Sequence, residues 1–179
     1  MKDTAARLSP ISRSLHWLIA FLMIGLFILG KYISMNEVYA LMPTHKSLGI
    51  IVLVLASCRL LWRYWNGWPS ELSPHPLRHI MASLVHWVLL LSTILFPLSG
   101  AVMSVAGGRG LSVFGVSLVE GNFVDGKPAA LFPELSGFAH DVHTILPALF
   151  IIALALHVVG AIYHHLVLKD ATLSRMLGR

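Results

Sequence analysis

Cysteine is nearly absent. The 179 residues contain one, Cys58, which excludes an internal disulfide, an iron–sulfur cluster held by four thiolates, and a haem tethered through a C-x-x-C-H motif. Charge is scarce as well: 12 per cent of the residues are Asp, Glu, Lys or Arg, against about 25 per cent in an ordinary soluble domain. No run of five or more basic residues occurs, so the formal charge of +5 is too diffuse to hold a nucleic acid. Internal repeats and low-complexity tracts are also missing. What fills the chain is apolar, 56 per cent by composition with a mean hydropathy of +0.77, and that excludes an ordinary soluble enzyme. Ten histidines stand out against this background.

The length suits one domain and leaves room for four membrane-crossing helices of about 20 residues with short connections. The reading is all-α: a transmembrane four-helix up-and-down bundle forming a single integral-membrane domain over residues 1–179. The spans are expected at about 12–32, 46–65, 80–106 and 141–168. The basic start of the first span invites comparison with a signal peptide, but Val38-Tyr39-Ala40 is a poor cleavage site, far from the apolar segment and closely followed by Pro43. The second span is aliphatic until Arg59 and Arg63, four apart on one helical face, which mark its exit from lipid. The third carries Pro97 and Gly100, tolerable where neighbouring helices satisfy the freed carbonyl. Gly107, Gly108 and Gly110 end it, and roughly 30 residues to Gly137 form a glycine-rich, mildly acidic connection of a length that is uncommon unless functional or disordered.

Lysine and arginine are distributed unequally. With four spans both termini share a side, which holds Lys2, Arg7, Arg13, Arg59, Arg63, Arg78, Lys169, Arg175 and Arg179; the other side has Lys31, Lys46, Arg109 and Lys127 with five of the eight acids. Cytoplasmic loops are enriched in basic residues, so both termini are expected in the cytoplasm.

Ionisable residues inside spans are costly and face the bundle interior. His143 and His157 lie 14 residues apart, nearly four helical turns, so one face of the fourth span carries both at depths about 21 Å apart. In an up-and-down bundle His16 on the first span is level with the lower of them and His45 on the second with the upper. Four imidazoles thus sort into two stacked pairs. This suits two haems, each iron held axially from two helices. Zinc would instead need its ligands gathered around one ion, and a proton relay is a further reading for single residues. His164 sits on nearly the same face as His157, but His143 and His164 would be about 31 Å apart, the whole hydrocarbon thickness. His140, one turn before His143, is an alternative ligand nearer water. His75 and His79 are expected to be solvated, and His86 on the third span has no assigned partner, with packing, a propionate contact and proton donation all open to it.

Ser14-Leu15-His16-Trp17, Thr44-His45-Lys46-Ser47-Leu48-Gly49, Arg59-Leu60-Leu61, Leu156-His157, His164-His165 and Lys169-Asp170, in this order and spacing, resemble the bacterial cytochrome b561 family over essentially the whole chain. The resemblance implies two non-covalent b-type haems in the bacterial inner (cytoplasmic) membrane, ligated by His16 with His157 and by His45 with His143. It implies one of two activities: superoxide oxidation on the outer side coupled to ubiquinone reduction, or electron relay between a partner redox protein and quinone. Both haems would be six-coordinate, so the iron changes only its oxidation state. Arg59 and Arg63 are candidates for haem propionate contacts or for snorkelling to lipid headgroups. His164, His165, Lys169 and Asp170 offer donors and titratable groups for a quinone. Lys46 and Arg109 are the local cations for an anionic radical.

Overall fold

The computed structural model describes Asp3, residues 7–67 and residues 76–178; His75 therefore lies outside the described residues. Four long helices dominate: α1 (Pro10–Asn36), α2 (Met42–Asn66), α3 (Pro76–Ala106) and α4 (Pro133–Tyr163). All four are long and apolar enough to cross a membrane. Proline opens α1, α2 and α4, where its missing N–H costs nothing, and Ser9 caps α1 by accepting from the Ser12 N–H at 3.2 Å. Helix α1 closes on Glu37 in the left-handed conformation. A single 3-10 turn, Tyr39–Leu41, then leads into α2.

The longest seam in the bundle is between α3 and α4, with α2 packed against both α1 and α3. The core is one apolar layer at mid-height, built from Ile19, Met23, Val52, Ala56 and Phe150. Elsewhere the helices turn large apolar side chains outward, among them Phe21, Leu84, Ile152 and Val159, an arrangement that only a lipid solvent favours. Around Pro97 the hydroxyls of Ser92, Thr93 and Ser99 donate to carbonyls of their own helix, absorbing polar backbone that has no water to bind.

The long connection after α3 is ordered, in contrast to a plain glycine-rich loop. It forms two antiparallel hairpins, β1 (Leu111–Val113) with β2 (Val116–Val119) and β3 (Phe123–Val124) with β4 (Lys127–Pro128). Each turns on two residues of positive φ, Phe114-Gly115 and Asp125-Gly126, the backbone that matches strand twist in a two-residue hairpin. Gly108 has φ +77°, and a Cβ there would come within 2.0 Å of the Ala129 carbonyl oxygen, so no other residue fits. The cap is tied down by Phe114, whose N–H donates to Ser47 Oγ at 2.9 Å.

Helix α4 ends in one π turn, His164–Leu168, after which Lys169 adopts the left-handed conformation. A short α5 (Thr172–Leu177) folds back on the start of α1, where the Trp17 indole donates to the Met176 carbonyl at 3.1 Å. The end bearing the termini is called the lower end below, and the hairpin end the upper.

Candidate functional site

The structure brings the four intramembrane histidines together as two pairs. At the lower tier the rings of His16 (α1) and His157 (α4) have centroids 6.1 Å apart; at the upper tier those of His45 (α2) and His143 (α4) are 6.3 Å apart. A metal–nitrogen bond is about 2 Å and a ring centroid lies a little over 1 Å behind its nitrogen. Two imidazoles on opposite faces of one iron therefore hold their centroids roughly 6 Å apart. Both pairs fit that requirement. Among the described residues no three His, Cys, Asp or Glu side chains are grouped to share an ion, which removes the zinc reading there.

The upper tier is shaped closely around its rings. The imidazole of His45 lies where a Cβ on Gly30 would meet its Cε1 at 3.1 Å, and Gly100 has the same relation to His143, so an added methyl at either glycine would press on the ring. The Nδ1–H of His143 donates to the Phe96 carbonyl at 3.0 Å, with Ser99 Oγ 3.1 Å away. That bond fixes the tautomer and leaves Nε2 free to ligate. His45 Nδ1 is buried without a hydrogen-bond partner among the described residues. A small apolar cleft, lined by Met23, Phe27, Gly49 and Val52 with both histidines, opens beside the pair. Its apolar walls and paired imidazoles suit a flat hydrophobic macrocycle.

The lower tier is polar. A guanidinium nitrogen of Arg59 stands 3.3 Å from His16 Nδ1, and the ring of His86 stands 5.4 Å from that of His157. This contact was not legible in the sequence, because it depends on the packing of α3 against α4. The Arg63 guanidinium is buried in an ion pair of 2.6 Å with Asp3. Asp3 also accepts from the Ser9 N–H at 2.6 Å and from Ser12 Oγ at 2.7 Å, while the Trp62 indole donates to Ser12 Oγ at 2.9 Å. Burial pushes the Asp3 carboxyl up, but the hydrogen bonds from Ser12 and Ser9 and the charge of Arg63 outweigh it and hold the group below its ordinary value. Sequence reasoning missed Asp3, which lies 60 residues from Arg63 and has no local pattern to signal the pair.

Of the four residues expected near a quinone, two meet. His164 Nδ1 donates to Asp170 Oδ2 at 2.5 Å, and Asp170 also accepts from the Thr172 N–H at 2.9 Å. Burial raises the Asp170 carboxyl, and the bonds from Thr172 and His164 more than reverse that, holding it below its ordinary value. His165 and Lys169 are exposed on other sides of the turn. His140 is exposed one turn above His143, and His79 is exposed near the start of α3. At the upper end Lys46 Nζ donates to Ser104 Oγ at 2.7 Å, and Ser104 Oγ in turn to the Gly110 carbonyl. Arg109 is exposed beside this group, its guanidinium folded over Gly107.

Comparison with known proteins agrees with the architecture. Residues 7–179 match a family model described as prokaryotic cytochrome b561. The chain is 31% identical to Cytochrome b561 homolog 2 of Escherichia coli (strain K12) over 183 residues, covering 99% of this chain and 94% of the relative. It is 28% identical to Cytochrome b561 homolog 1 of the same organism over 179 residues, covering 97% and 98%. A Yersinia pestis relative named "Probable superoxide oxidase CybB" is 27% identical over 176 residues, covering 94% of each chain. With four membrane-crossing helices and a match over nearly its whole length, the chain belongs to the prokaryotic cytochrome b561 family of membrane electron-transfer proteins that carry b-type haem.

Proposed function

We propose that this protein is a self-contained superoxide:ubiquinone oxidoreductase of the bacterial inner membrane, with both termini in the cytoplasm and two b-type haems, held by His45 with His143 on the outer side and by His16 with His157 on the inner. The observation that carries the reading is the pair of imidazole tiers at iron-bridging separation with a packed apolar layer between them. Haem held by these histidine pairs would supply reversible one-electron storage at each tier.

The balance is simple. Two superoxide anions each give up one electron and leave as dioxygen, and one ubiquinone takes two electrons and two protons to become the quinol. Lys46 and Arg109, beside the upper tier, attract the anion locally despite the acids of the outer loops. Val52, Ala56 and Phe150 exclude water between the tiers. At the inner end the His164 Nδ1–H faces Asp170, which leaves Nε2 as the position that takes up a proton from the cytoplasmic side and passes it to the quinone. His165 and Lys169 are further donors on that side. Adding superoxide to the oxidised protein tests the reading: rapid reduction of both haems with no partner present supports it, and inertness contradicts it.

The second reading is that of a relay subunit docked on a partner redox protein. The observation favouring it is the cap, where Phe114, Val116, Leu118, Phe123 and Val124 are all more than half exposed, an apolar surface of the kind a partner covers. Under this reading superoxide leaves the oxidised haems unchanged.

A further inference from the structure

The two tiers differ in the electrical surroundings of their ligands. At the upper tier the Nδ1 proton of His143 is given to the Phe96 carbonyl, which increases the basicity of the ligating nitrogen and favours the ferric state. At the lower tier the group facing His16 Nδ1 is the Arg59 guanidinium at 3.3 Å. A guanidinium has only donors and is always charged, so it accepts no proton from His16, lends the ring no basicity and opposes additional positive charge on a nearby iron. Its Nε is buried without a hydrogen-bond partner, and no carboxylate among the described residues pairs with it. The neighbouring Arg63 is neutralised by Asp3. Lys46, the cation next to His45 in the chain, is held instead by Ser104 under the cap, nearer water and its screening ions.

We propose that Arg59 raises the reduction potential of the haem held by His16 and His157 above that of the haem held by His45 and His143, so that electrons run from the upper tier to the lower. This rests on the two-haem reading above and deepens it by assigning the direction of transfer to one residue. Arg59 acts through its ligand neighbour and is a positioning residue for charge.

The test is an optical redox titration of the purified holoprotein, which should resolve two one-electron components. The single-haem variant His45→Ala assigns the higher one to the lower tier. In Arg59→Gln the higher component should fall by at least 59 mV, a tenfold change in the electron-sharing constant, while the lower component stays in place; Arg59→Lys, which keeps a charge, should fall by less. The inference is overturned if Arg59→Gln retains both haems with both components unmoved, if His45→Ala titrates with the lower component, or if Arg59→Gln and Arg59→Lys both simply lose the lower haem. A colourless wild-type protein fails the two-haem reading itself, and pigment content separates that result from failure of the Arg59 assignment alone.

Discussion

The upper and lower tiers each pair two histidines, in opposite settings. At the upper tier the histidines are wedged against Gly30 and Gly100, anchored to a main-chain carbonyl and walled by apolar side chains. At the lower tier they stand among Arg59 and His86, above a buried ion pair and a histidine–carboxylate pair. A ligand held by shape and backbone suits a site that only passes electrons. Charge and titratable groups suit a site where electron transfer is joined to proton uptake. The titratable groups that the proposed proton chemistry needs thus gather at one end of the bundle.

The sharpest way to break this comparison is to remove one ligand from each tier. His45→Ala should empty the upper tier alone and His157→Ala the lower alone, each halving the haem-to-protein ratio; loss of both haems, or of neither, would show that the tiers are not separate sites. Next in size is the buried ion pair. Arg63→Ala strands the Asp3 carboxylate and should cost about 3–5 kcal/mol, the usual penalty for an uncompensated buried charge. Thermal unfolding should show the lower haem released first. Replacing both partners should recover much of the loss.

Smaller effects sharpen the contrast. Gly100→Ala brings a methyl to 3.1 Å from the His143 ring and should cost about 1–3 kcal/mol of overpacking, shifting the upper-tier absorption band only. Gly25→Ala, where a Cβ meets nothing within 4 Å, serves as the silent control. Acid should act at the other end. Asp3 and Asp170 are both held below the ordinary value of 3.8. Their contribution is complete above that value and is lost as pH falls through the lower folded-state values. Spectra recorded below about pH 4 should therefore show the lower tier disturbed before the upper.

The four helices were legible because hydropathy and length are properties of consecutive residues. Their ends were less so: α4 begins at Pro133, eight residues before the expected Asp141, because its first turns are polar enough to fall outside an apolar window yet carry a proline start. The hairpins had a partial signal in Asp125-Gly126, a strong turn pair, whereas Phe114-Gly115 gave none. The pairing of histidines across helices followed from a 14-residue spacing on one helix. What could not be read was lateral: the approach of His86 to His157, the capture of Arg63 by Asp3 and the meeting of Arg59 with His16 each depend on how two helices rotate against one another. The His164–Asp170 contact needed the π turn, which no local periodicity announces.

The most direct test of the two-tier account is the haem content of the purified chain together with its low-temperature electron paramagnetic resonance spectrum. The account predicts two haems per polypeptide, both low-spin ferric with histidine on each face. One haem per chain, or a high-spin signal from an open coordination position, would contradict it.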